Sequence, residues 1–187
     1  MKLNTLARIS LAAILTTLPG ALPAQDKVAV QQVAVEKESV ELIDQIEDVA
    51  RSVHNNTDAL RMHASRNLSR YSHQHHLSEI AELINNGLNP ALNRLNEIKP
   101  GLPEWQQHAV DRILESARSL SNDSNSAFLS LKDNGAKPIH MNTEFRAFLD
   151  TMDQHAENLV STADVAGDYA NALDQALEAG LKVPSHR

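Results

Sequence analysis

Nine histidines stand in this chain, and five of them, His54, His63, His73, His75 and His76, crowd into one stretch. Imidazole in its neutral form is a ligand for Zn, Cu and Ni, so a cluster of this kind is the first place to look for chemistry. His73 and His76 are three residues apart, on neighbouring positions of one helix face, and His63 would approach them from the preceding helix. With His75 beside them, His63, His73 and His76 form a candidate site for Zn or Cu. The plainer reading leaves the same residues as solvent-facing parts of a turn, and then no cofactor is expected. The chain has no cysteine, which removes thiolate nucleophiles, Cys-ligated zinc, iron–sulfur clusters and disulfides together.

The same stretch carries Arg51, Arg61, Arg66 and Arg70 against the single Asp58. Arg61, Arg66, Arg70 and His75 therefore make a candidate patch for an anionic partner, strengthened below about pH 6.5 as imidazoles take up protons. Compensation of a helix dipole at its C-terminal end is the ordinary alternative. A b-type haem would draw its axial ligands from Met62, Met141, Met152 and His155, although aromatics at 3% offer little pocket lining. A di-iron carboxylate site requires Glu-x-x-His on two helices, and no such motif occurs. Neither Gly-x-Ser-x-Gly, His-Glu-x-x-His nor a Gly-rich phosphate loop is present. Asp150, Asp153, Glu157 and Asp164 fall off the apolar stripe of the last helical segment and read as a solvated face. These patterns favour a binding or interaction protein over an enzyme.

What must position these residues is a set of long helices. At 187 residues and 42% hydrophobic, one domain with an aliphatic core is expected. Residues 1–24 read as a signal peptide: Lys2 and Arg8 precede the apolar run Ile9 to Leu18, and Pro19, Gly20 and Pro23 break it before a cut after Ala24. Residues 25–35 carry no helical stripe and are expected to be a loose arm. The first helix follows from about Glu36, acidic at its start and rich in Arg at its end. A second runs from about His73 to Ile98 with a kink near Pro90, which lacks the amide hydrogen. Pro103 and Glu104 open a third, reaching Lys132, with Trp105 expected to plug the end of the core over Leu102. A fourth extends from Asn142 or Thr143 to Gly180, and residues 181–187 are expected to fray. Apolar residues three and four apart on all four segments, joined by short connections, predict an all-α, antiparallel, up-down-up-down four-helix bundle over residues 36–180.

Three stretches also resemble a group of uncharacterised secreted bacterial helical proteins: Ser72 to Leu77 (Ser-His-Gln-His-His-Leu), Leu102 to Ile113 (Leu-Pro-Glu-Trp-Gln-Gln-His-Ala-Val-Asp-Arg-Ile) and Asn142 to Phe145 (Asn-Thr-Glu-Phe). The resemblance implies export and a helical fold, and carries no catalytic residue. At His73 the group tends to show an aromatic, so the resemblance does not extend to the histidine cluster.

A net charge of −7, deepened by loss of Lys2 and Arg8, argues against nucleic acid as a partner. No cysteine follows the cleavage site to take a lipid anchor. The chain is therefore expected in a periplasm or outside the cell, as a monomer or weak dimer, with a protein or small ligand as its partner.

Overall fold

Apolar residues alternately three and four apart need a partner surface along the whole length of a helix, and four such stripes meet in the computed structural model, which describes residues 24–64, 70–133 and 139–179. Among the described residues every regular element is helical and there is no strand. Helix α1 spans Ala24–Ala64; α2 spans Arg70–Glu82 and runs through a π-helical turn, Leu83–Leu88, into α3, Asn89–Ile98. A 3-10 turn at Lys99–Gly101 leads to α4, Glu104–Asp133, and another at Ile139–Met141 leads to α5, Thr143–Glu178. No helix of the described residues is long and apolar enough to cross a membrane. The expected signal segment, except Ala24, and the expected frayed tail at 181–187 lie outside the described residues.

The stripes account for the core. Helix α1 buries Ile43, Ile46, Ala50, Val53, Leu60 and Ala64 with Thr57 between them; α4 buries Val110, Ile113, Ala117, Leu120, Ala127 and Leu131 with Ser124. Helix α5 contributes Phe145, Leu149, Met152, Ala156, Leu159 and Ala163, and it packs extensively against both α1 and α4. Burial of such side chains contributes roughly 1.5–3 kcal/mol for each large aliphatic one.

Residues 25–35 are not a loose arm: they form the opening turns of α1. Val35 packs against the core, and its Cγ1 lies 3.4 Å from where a Cβ on Gly101 would stand. That contact anchors the helix well before its main stripe begins, and the Ala and Gln of the segment have favourable helix propensity.

The π turn re-phases the second helical run. Its buried positions are His73, Leu77, Ile80 and Ile84, then Leu88, Leu92 and Leu95. A regular helix continuing from Ile84 would bring Gly87 and Arg94 inward; the extra residue of the wider π turn brings Leu88 and Leu95 inward instead. Gly87 then faces α1, where an added Cβ would meet both methyls of Val49 at 3.1 Å. Pro90 follows the π turn, at the start of α3 and within one continuous helical run.

Polar pairs fix neighbouring helices. Arg94 of α3 donates from Nε and Nη2 to the two carboxylate oxygens of Glu38 on α1, at 2.6 and 3.1 Å. Its hydrogen bonds hold the Glu38 carboxyl below the usual range. Lys99 pairs with Asp111 of α4. Before α5, the buried Asn142 accepts a hydrogen bond from the Phe145 amide at 3.1 Å, an N-cap. Its amide donates to the Ser130 carbonyl at 3.4 Å, tying the end of α4 to the start of α5.

Candidate functional site

The histidine cluster is divided by the helix it sits on. Three residues of α-helix advance about 300°, leaving His73 and His76 about 60° apart around the axis. His73 is fully buried with its ring edge-on to Phe145, 6.1 Å between centroids. His76 stays at the margin, 5.5 Å from the ring of His63 on α1 and 5.9 Å from that of His75. Glu79 brings Oε2 to 3.1 Å from His76 Nδ1 and Oε1 to 3.4 Å from His75 Nε2. The structure thus gathers His63 and His76 and withdraws His73 into the core. Among the described residues, no three His, Cys, Asp or Glu side chains are grouped to hold a metal ion.

The arginine patch is altered in the same way. Arg61 donates from Nε to Asp150 Oδ1 at 2.9 Å and from Nη1 to Asp153, both on α5, and has Asp58 at 3.6 Å. Burial opposes the guanidinium charge, but Asp150, Asp153 and Asp58 outweigh it and raise its affinity for the proton. Asp153 also faces His54, Nδ1 to Oδ1 3.0 Å, an ion pair when the imidazole is protonated. Arg61 thereby bridges the α1–α5 seam, its side chain 37% exposed. Of the other members, His75 is exposed beside Glu79, while Arg66 and the side chain of Arg70 lie outside the described residues. Asp150 and Asp153, expected on a solvated face, are the α5 half of this network.

The four residues considered for haem are dispersed in role. Met152 is packed in the core, His155 Nε2 lies 3.5 Å from Asp123 Oδ2, and Met62 and Met141 are exposed.

A concavity lies between α4 and α5. Its walls are Trp105, Ala109 and Arg112 from α4, and Val165, Ala166 and Tyr169 from α5, around a space of about 440 Å³. The rings of Trp105 and Tyr169 meet edge to face at 4.5 Å, a geometry favoured by the ring quadrupoles. Tyr169 remains 47% exposed and Val165 65%, so apolar surface faces water here. Arg112 makes no ion pair or hydrogen bond within the described residues, and His108 reaches only Glu104, at 3.9 Å. Ser161 and Thr162 line the opposite edge; the Thr162 hydroxyl donates to the Asn158 carbonyl at 2.8 Å. An aromatic wall beside an uncompensated guanidinium can bind an anion with an apolar body.

The ring of Trp105, expected over Leu102, packs against Tyr169 of α5. The signal available in the sequence was a second spacing on α4, Trp105, His108, Ala109 and Arg112, one position behind the core stripe of Gln106, Val110 and Ile113. Compared with protein families, curated proteins and solved structures, the chain matches none. All three stretches that carried the resemblance have structural work: His73 and Leu77 are buried, Leu102, Val110 and Ile113 are core residues, and Asn142 caps the helix whose Phe145 is buried.

Proposed function

We propose that this chain is an exported binding protein, an antiparallel up-down-up-down bundle whose α4–α5 groove takes a small anion with an aromatic or alkyl body. The observation that carries the reading is the Trp105–Tyr169 pair at 4.5 Å beside Arg112 in an open groove. Aromatics make up 3% of the chain, and exposed Trp, Tyr and Arg together are the residue types on which binding energy concentrates. The topology is supported by pairs whose positions run oppositely along the helices: Asp44 near Gly167 and Arg61 with Asp150, Glu38 with Arg94 and His63 with His76, Trp105 with Tyr169 and Ser130 with Glu144. Export is supported by the cationic start and short apolar run at Lys2 to Leu18.

The test is calorimetric titration with 4-phenylbutyrate and with its uncharged counterpart 4-phenylbutanol. The carboxylate is expected to bind about tenfold tighter than the alcohol, the difference vanishing in Arg112→Gln, because a charge-assisted hydrogen bond contributes about 1.5–3 kcal/mol. Trp105→Ala should weaken both. Absence of binding at millimolar concentration, or binding that neither substitution changes, would overturn the reading.

A further inference from the structure

On the other side of α4 the bundle is open in a different chemical style. Helix α3 meets α4 far more sparsely than α5 does, and two adjoining concavities, of 420 and 350 Å³, follow the seam and share Asn89 and Ser121. Asparagines repeat along both walls: Asn85, Asn89, Asn93 and Asn96 on the π turn and α3, Asn122 and Asn125 on α4. Asn89 donates to Asn85 at 3.3 Å. The side chains of Asn93, Asn96, Asn122 and Asn125 bond to nothing among the described residues. The floor is apolar, with Leu77, Ile84, Leu92 and Leu114, and Phe128, 43% exposed, stands at one end. Arg118 is the sole charged residue lining either concavity.

We propose that this seam is a binding groove for a neutral linear oligosaccharide. A carboxamide presents a donor and an acceptor side by side, the pattern that two vicinal hydroxyls complement, and it does so without the desolvation cost of a charge. Amides recurring at each helical turn on facing walls give successive sugar units the same pair of contacts. Phe128 supplies the flat apolar surface on which the C–H face of a pyranose rests, and the aliphatic floor accepts the same face further along. Amides outnumber the single cation, Arg118, along its walls, which separates this groove from the aromatic one on the α4–α5 side. An extended peptide engaging the amides through its backbone is the competing occupant.

The experiment titrates full-length protein with chitohexaose and maltohexaose while recording amide NMR shifts. Shifts confined to the Asn85–Asn96 and Ser121–Phe128 segments are expected for one of the two sugars. Asn93→Ala with Asn122→Ala, both at exposed positions, should weaken binding at least tenfold, and Phe128→Ala likewise. Trp105→Ala should leave it unchanged, which keeps this outcome independent of the α4–α5 groove. The proposal is overturned if neither sugar shifts these segments at millimolar concentration, or if the asparagine variants bind as the parent does. It is equally overturned if an uncharged Ala/Gly heptapeptide binds there more tightly than both sugars, since the seam would then be a peptide groove.

Discussion

Asp44 shows how a single carboxylate on the bundle surface works against the fold that holds it. Burial at the α1–α5 contact, where its Oδ1 lies 3.3 Å from the Cβ position of Gly167, and then the neighbouring Glu47, Asp48 and Glu41 raise its proton affinity. A carboxyl raised in the folded state binds protons there more readily than in the unfolded chain. Its ionised form therefore costs stability above the folded pKa, and the cost fades as pH falls through the folded value and below the unfolded one. Asp44→Asn should accordingly raise the melting temperature at pH 7 and leave it unchanged near pH 3; an equal gain at both would show that charge is not the cause. The same scale separates His73 and Asp153 from the positions their spacing predicts. Their spacing places them relative to their own helix, but whether His73 enters the core depends on Phe145, and whether Asp153 stays in water depends on Arg61 and His54 across the seam. Cross-helix register, unlike periodicity, is not carried by local sequence.

At the scale of elements, apolar spacing placed the stripes of α1, α4 and α5 and the ends at Asp133 and Thr143 within a residue or two, because each is marked by a cap or a turn with its own chemistry. The Asn-Asn-Gly-Asn-Pro run also announced an interruption in the second helical run. What local chemistry could not announce was its form, a π turn centred before Pro90, since the gain lies in turning Leu88 and Leu95 inward. Gly87 is the residue that lets this turn lie against α1. Replacing a helical glycine by alanine ordinarily stabilises by about 0.5–1 kcal/mol, but here the new methyl meets Val49 at 3.1 Å. Gly87→Ala should thus give its full gain only in a Val49→Ala background and fall short of it in the parent, as denaturant unfolding of the four-member cycle would reveal. Identical gains in both backgrounds would mean the turn does not rest on Val49.

For the molecule as a whole, α5 is the element on which α1 and α4 both depend, and Leu159 lies fully buried midway along it. Leu159→Asp should abolish cooperative unfolding, because an unpaired charge would be placed in the core. Asp153→Ala, six residues away, should lower stability by about 1 kcal/mol through loss of the carboxylate shared by Arg61 and His54. Comparable melting curves for the two variants would remove the distinction between stripe and flank on which the fold rests. The helical architecture was legible because each stripe spans many turns, so isolated errors average out. The two grooves were not, because a concavity exists only between elements.

One arrangement on α4 also gives the protein an optical property. Trp105 is the chain's only tryptophan, and it stands 4.5 Å from Tyr169. Indole emission from this protein therefore has a single origin, at the rim of one groove. Tyrosine excitation there will pass to the indole by resonance transfer, and its colour and polarisation will follow the wetness and mobility of that rim alone. Separation of α4 from α5 would extinguish the transfer before the helices themselves were lost, so an unlabelled sample can report opening of this seam separately from unfolding of the bundle.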